Sequence, residues 1–460
     1  MTNTNSQPDS IEQRLSELEA FKQEVEETSD RAKLTRRGAL AALAGGGVLA
    51  AGASSPAKAA TWSDSDGDGL LETDAEGIEI NSLNTVRIVG EGDLIEDAIN
   101  DAEAGDGFGE VYITSQYNNP NAEDFPITVG EDTDGDGTLN GTSIYIHGDN
   151  GTEIVGENGA NIFNIRAEAN APPGVMMENL HLAGGENAID MRGARFCRLR
   201  NITINSPRNH GVNIQDTSSH AANSNTLQNV IVRNPDQDGI RATGRIHGLS
   251  LINCKTIGGG FDTRKGLYVD GGSSRTTTTI RVVGGSFEEC TEKGAHLKNL
   301  RLGYLFDVYF EGNDRGDDNV DIGMKNVSAT TIDSCYFNGE DTDSTYNRAA
   351  LFINDSESIH VRNCAYVHYR NGFIDMSSSN PPQNVDVYRG THKAVDSTPF
   401  FDEAHGLVRS YGVIGAAEGG RDLSTVNGEF VGDMAVDSSG LLGTYQGSGT
   451  WQLSDGSTKS

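Results

Sequence analysis

From residue 175 onward the chain repeats itself, and nothing else in it limits the fold so tightly. Each repeat carries a small or polar residue with apolar residues two before, one after and three after it. Around Asn179 these are Met177, Leu180 and Leu182, and around Asn201 they are Leu199, Ile202 and Ile204. Around Asn229 they are Leu227, Val230 and Val232. The series continues through Asn253, Gly284, Asp307, Ser334 and Asn363, at intervals of 22, 28, 24, 31, 23, 27 and 29 residues. After each unit come a variable loop and a second alternating strand, such as Gly211-Val212-Asn213-Ile214, Gly239-Ile240-Arg241-Ala242 and Gly266-Leu267-Tyr268-Val269. Alternation sends one set of side chains inward and the other outward. A repeat of about 25 residues with three short strands is one turn of a parallel β-helix, each strand pairing with its counterpart ~4.8 Å away. One rung cannot bury its apolar face alone, whereas stacked rungs build a continuous column. A leucine-rich solenoid would need fixed leucine spacing and regular repeat length, which are absent.

The recurrent polar position sits at a sharp bend, where Asn, Asp and Gly tolerate the dihedrals required. Stacked Asn side chains there can bond to one another, and the column resembles the asparagine ladder of right-handed parallel β-helices. Cys254, Cys335 and Cys364 fall in the column held elsewhere by Leu180, Ile202 and Val230. They read as small buried core residues, and five Cys in 460 residues make no disulfide framework. Ahead of the repeats, Asp93 can cap a helix bearing Leu94, Ile95, Ala98 and Ile99 on one face. Then come Glu110-Val111-Tyr112-Ile113, Ser143-Ile144-Tyr145-Ile146-His147-Gly148 and Gly151-Thr152-Glu153-Ile154-Val155-Gly156. This order of helix, V-Y-I strand and I-x-G-x-x-G-T-x-I step resembles the start of the pectate-lyase-like superfamily, over roughly residues 90–390. The resemblance implies an all-β fold: a right-handed parallel β-helix, three strands per turn, with an N-terminal helix cap and a small C-terminal β module. It implies no single activity, because the superfamily mixes lyases, hydrolases, epimerases, viral tailspikes and inert scaffolds.

Four segments are expected. Residues 1–59 form an export signal with a polar helical n-region, 60–90 an acidic linker or calcium-like loop, 91–398 the parallel β-helix, and 399–460 a C-terminal β-hairpin module. Thr35-Arg36-Arg37-Gly38-Ala39-Leu40, a mild Ala/Gly/Leu stretch and Ala57-Lys58-Ala59 resemble a twin-arginine export signal with its cleavage site. That implies a secreted or extracellular-surface protein with no stable membrane span after cleavage. The chain holds 35 basic and 67 acidic residues, a net charge of −32. Such a field repels phosphate backbones and argues against nucleic-acid binding. With 10 Lys against 25 Arg, the acidity has a haloarchaeal-like character and suits a halophilic surface.

In the superfamily, sugar binds along the outward face of the strand after the variable loop. The corresponding row is Asp190, Asn213, Arg241, Tyr268, His296, Asp321 and Phe352, flanked by loop residues that include His210, Asp238, Lys265, Glu292 and Lys293. A β-eliminating lyase needs a base, an acid and a cation for the uronate carboxylate. Arg241 is placed to neutralise, and His296 and Tyr268 to share proton transfer, with Asp321 next to them. A glycosidase needs two carboxylates ~5–9.5 Å apart, for which Asp238 with Asp321, or Asp314 with Asp317, are the choices. Asp190, Asn213, Asp238, Lys265 and Lys293 are expected to hold substrate. The paired D-D, R-I-K and R-x-P-x-x-R elements of known superfamily enzymes are missing, so no specific activity carries over. The expectation is a protein that binds or cleaves an acidic polysaccharide or cell-surface glycan.

A non-catalytic adhesin or tailspike-type fibre is the alternative, since outward positions on any solvated sheet are polar. The stretch from Gly432 to Leu453 resembles modules that close or trimerise such fibres, which makes a homotrimer a further expectation. Finally, Asp64-Ser65-Asp66-Gly67-Asp68-Gly69 and Asp132-Thr133-Asp134-Gly135-Asp136-Gly137 both read D-x-D-G-D-G. Alternating carboxylates with permissive Gly are the first half of a calcium loop, so these six aspartates are candidate ligands for calcium.

Overall fold

The computed structural model describes residues 86–388, apart from 104–108, 119–124, 131–142, 150–151, 167–173, 260–262, 273–276, 314–319, 340–348 and a few positions between 368 and 381. It also describes short strands at 62–63, 72–73, 393–394, 408–411 and between 434 and 459. The chain divides into two compact units, Met1–Asn81 and Ser82–Ser460. In the first, Trp62–Ser63 pairs antiparallel with Glu72–Thr73. The candidate calcium ligands Asp64, Asp66, Asp68, Asp132, Asp134 and Asp136 lie outside the described residues, as does the export-type segment.

The second unit winds through three parallel sheets of ten, ten and thirteen strands, each complete turn between Ile144 and Met376 contributing one strand to each. This is the right-handed parallel β-solenoid expected from the repeats. Its inward residues stack in columns. One column runs Leu182, Ile204, Val232, Thr256, Phe287, Phe310 and Phe337, each in register with the next. Every member is buried, and the Phe310 and Phe337 rings stack with centroids 5.0 Å apart. A buried apolar residue of this size stabilises by about 1.5–3 kcal/mol, and the column repeats that gain on every rung but that of Thr256.

The bends follow from the recurrent polar position. Asn179, Asn201, Asn229, Asn253, Gly284, Asp307, Ser334 and Asn363 all have positive φ, between 50° and 65°. A bulkier L-residue there would cost about 1–2 kcal/mol. The ladder is present: Asn201 Nδ2 donates to Asn179 Oδ1 at 3.1 Å, and Asn229 Nδ2 to Asn201 Oδ1 at 2.9 Å. It is interrupted at Gly284, which has no side chain. The helix before the solenoid spans Ile95–Glu103 and buries Ile95, Ile99 and Ala102. Just ahead of it, the Asp93 carboxylate accepts the Gly90 N–H at 2.6 Å. All five Cys are buried and free, as the column alignment implied for Cys254, Cys335 and Cys364. Met434–Val436, Leu442–Gly447, Thr450–Leu453 and Thr458–Lys459 form a four-stranded antiparallel sheet. Among the described residues, no helix is long and apolar enough to cross a membrane.

Candidate functional site

The outward row of one ten-stranded sheet runs Asp190, Asn213, Arg241, Tyr268 and His296 in register, as the repeats implied. Its next member is Gly323, followed by Phe352. Asp321 therefore does not stand beside His296. It lies two residues earlier, opposite Gly294, because Ala295 pairs with Ile322. There the side chain turns into the solenoid and is 2 % exposed. Asn313 Nδ2 donates to its Oδ1 at 2.8 Å, and the Tyr369 hydroxyl donates to its Oδ2. Burial pushes this carboxyl up to about 7, but a carboxyl sealed inside cannot meet a polysaccharide.

The first two members of the row are also committed. Asp190 is fully buried and accepts from Arg166 at 2.8 Å, Arg192 at 2.9 Å and Asn213 at 2.6 Å. Asn213 returns its oxygen to Arg241 Nη1 at 3.3 Å and to Gln215 at 3.2 Å. Both are structural ties, not open substrate contacts as expected.

The next three rungs are different. The strands Asp238–Thr243, Lys265–Asp270 and Lys293–Lys298 each open with a charged residue followed by Gly. A Cβ at Gly239 would lie 2.1 Å from Thr256 Oγ1, and one at Gly266 or Gly294 2.6 Å from a Phe of the core column. Only Gly lets the backbone come so close to the core; with Gly239 and Ile240 both facing inward, alternation breaks there and Asp238 ends on the same side as Arg241. The result is a cavity of about 510 Å³, lined by Asn209, His210, Gln237, Asp238, Arg241, Arg264, Lys265, Tyr268, Glu292 and His296.

Its groups divide by how far they are occupied. Glu292 accepts from Arg264 on one oxygen and from Lys265 on the other. Burial pushes its carboxyl up, but those two bonds outweigh burial and hold it below its ordinary range. Tyr268 donates to Asp270 at 3.0 Å, and burial followed by that bond raises its phenol. The ring is surrounded by Arg241 at 6.0 Å, Lys265 at 5.3 Å and Lys298 at 5.8 Å from its centroid. Tyr268 thus orders cations and is not free for proton transfer.

His210 Nδ1 accepts the Asp238 backbone N–H at 3.2 Å, which leaves the proton on Nε2. Burial, then Arg241, lowers this imidazole to about 4. The 3.7 Å approach of the ring to Asp238 Oδ2 is accordingly no ion pair. His296 is lowered to about 3 by burial and then by Lys293, Lys265 and Lys298. It is neutral, and its buried Nδ1 has no hydrogen-bond partner.

Asp238 is the other incompletely satisfied group. Lys265 Nζ stops 4.0 Å from its Oδ1 and Arg241 Nε 4.0 Å from its Oδ2. Oδ1 is buried without a hydrogen bond. Burial outweighs Lys265, Arg241 and Arg264 and pushes the carboxyl up to about 6. The cavity therefore holds three cations, two carboxyls, two neutral imidazoles and a buried unpartnered carboxyl oxygen.

The repeats alone pointed to Arg241, Tyr268 and His296, and placed Asp238, Lys265 and His210 at the edge. Arg264 and Gln237 were missed. Each directly precedes the charged-Gly pair of its strand, so aligning rungs on Gly239, Gly266 and Gly294 would have found them. Lys293 opens the last strand and is buried beside His296. Among the described residues, no cluster of His, Cys, Asp and Glu forms a metal site.

No family model matches the chain, and no curated protein matches it. Among solved structures, the ORF18 protein of Geobacillus virus E2 is 15 % identical, over 68 % of this chain and 55 % of its own, with a TM-score of 0.42. The catalytic domain of a GH87 alpha-1,3-glucanase in complex with nigerose is 13 % identical over 70 % of this chain and 65 % of its own, with a TM-score of 0.36. PfbA, a surface adhesin of Streptococcus pneumoniae, is 9 % identical over 78 % and 95 %, with a TM-score of 0.38. The chain thus spans less than two thirds of the first two, and the likeness concerns the β-helix fold.

Proposed function

We propose that the protein binds an acidic polysaccharide in this cavity, outside the cell, and cleaves it by β-elimination with Asp238 as the base. One observation carries the reading. In a chain of net charge −32, a single cavity gathers Arg241, Arg264 and Lys265 with the Asp238 carboxyl, which none of them reaches within hydrogen-bond distance. A uronate carboxylate beside Arg241 is neutralised, which acidifies the C5 proton. The Asp238 carboxylate takes that proton, the electron pair closes a C4–C5 double bond, and the glycosidic oxygen leaves C4 with a proton from solvent. Hydrolysis would require a second available carboxyl; among the described lining residues the other carboxyl is Glu292, both of whose oxygens are engaged, and Asp314 and Asp317 lie outside the described residues.

The twin-arginine-like segment supports export, and the two D-x-D-G-D-G loops are proposed calcium sites. Loss of thermal stability on chelation, restored by calcium, tests the loops. A homotrimer is likewise proposed, and light scattering tests it.

The decisive experiment incubates the protein with a panel of polyuronides in high salt with calcium and follows the ultraviolet absorbance of unsaturated product. Product with the wild type and none with Asp238→Asn is the expected result. No product on any acidic glycan removes the lyase. If calorimetry also finds no binding, the acidic-glycan reading falls with it; binding without product leaves the non-catalytic adhesin.

A further inference from the structure

The floor of the cavity carries Arg241, Tyr268 and His296 on three successive strands. At ~4.8 Å per strand, about 10 Å separates the first from the last, room for roughly two pyranose rings. Beyond His296 the row reaches Gly323. Lys293 opens the His296 strand, and its side chain runs diagonally across to that glycine. A Cβ on Gly323 would lie 2.8 Å from Lys293 Cε, 2.9 Å from its Cδ and 3.5 Å from His296 Cδ2. The stem of Lys293 thus fills the space through which the row would otherwise continue. Lys293 is only 5 % exposed, so this stem is packed in place. The His296 ring turns its Cδ2 edge toward Gly323, so Nδ1, on the opposite edge, faces back toward the Tyr268 rung. That atom is buried and has no hydrogen-bond partner.

We propose that the cavity is a chain-end site, an inference that rests on the acidic-glycan reading above. It takes the terminal units of an acidic oligosaccharide, and the last ring stops against His296 and the stem of Lys293. The exposed part of the His296 ring, which lines the cavity, meets that last ring. A groove for the interior of a polymer needs an open row on both sides of the reacting unit, and Lys293 closes one side.

The test is calorimetric binding of an oligouronide series to the full chain, with product sizing over early turnover. Affinity is expected to rise up to about two or three units and then stay level within about twofold, as the length of the floor dictates. The first products are expected to be the smallest unsaturated units. A tenfold or greater gain between about four and about eight units, or mid-length fragments appearing first, overturns the chain-end site. Lys293→Ala should open the closed side, so that affinity again grows with length; an unchanged plateau overturns the role given to Lys293. If that variant does not fold, the wild-type length series decides alone. Failure of every acidic oligomer to bind overturns the acidic-glycan reading itself, whereas binding with open-ended length dependence overturns only the chain-end inference.

Discussion

Asp238 and Asp321 are both buried, and burial pushes both carboxyls up, to about 6 and about 7. Their surroundings are opposite. Asp321 has a donor on each oxygen, Asn313 at 2.8 Å and the Tyr369 hydroxyl, and faces the interior. Asp238 faces a cavity, with cations that stop 4.0 Å short and one oxygen without a hydrogen bond. A raised carboxyl pKa records burial in both places. Chemistry needs in addition an unoccupied lone pair and room for a ligand beside it.

Exchange of the two residues for amides gives the largest contrast. Asp238→Asn should lower the elimination rate by about 10²–10⁴-fold with little change in melting temperature. Asp321→Asn should leave the rate within about twofold, and loss of turnover in a folded Asp321→Asn protein would reverse the assignment. Next in size is Asp321→Ala, which strands the Asn313 and Tyr369 donors. Chemical denaturation should show a loss of about 2–4 kcal/mol, against about 1 kcal/mol or less for Asp238→Ala. The third contrast is in pH. A base near 6 must be deprotonated, so kcat/KM should climb about tenfold per pH unit below 6 and level off above it. A rate that falls through this range would mean that Asp238 acts as an acid.

Stability supplies a smaller effect. Asp321 in the folded chain titrates near 7, against ~3.9 unfolded, so its contribution is complete below about pH 4 and is lost as pH rises through 7. His210 and His296 act in the opposite sense: held neutral, they cost stability as pH falls below ~6.5. The wild-type profile therefore mixes both signs. The difference between Asp321→Asn and wild type isolates one of them, and melting curves should show the variant gaining a few degrees relative to wild type between about pH 4 and pH 7. Tyr369→Phe, which removes one donor, should cost about 1 kcal/mol.

The solenoid was legible because the same constraint recurs on every rung. A left-handed bend admits few residue types, and the apolar neighbours of Asn179, Asn201 and Asn229 mark strand register directly. The row from Asp190 to His296 followed from that register. It failed at Asp321 because alternation has a period of two, so a two-residue slip keeps every inward residue inward. Nothing in Val320-Asp321-Ile322-Gly323 announces that Ile322, not Val320, pairs with Ala295. Hydrogen bonding was the other hidden layer. Asp190 and Tyr268 are as polar as Asp238 and His296, and only their partners distinguish tie from site. Those partners, Arg166 for Asp190 and Asp270 for Tyr268, lie on an adjacent strand or two residues along, where no spacing rule singles them out.

The bookkeeping of strand pairing has a consequence for how such a molecule comes into being. His181 pairs with Thr203, Thr203 with Ile231, and Ile231 with Lys255. Each partner is one turn away along the chain, and that distance does not grow as turns are added. The entropy of loop closure depends on loop length only logarithmically, so the tenth turn meets about the same closure cost as the third. The molecule can accrete, each newly made segment settling onto a finished edge behind a moving growth front. By the same logic, the closure cost of the three rungs that carry Asp238, Lys265 and His296 does not depend on how many turns lie beyond them.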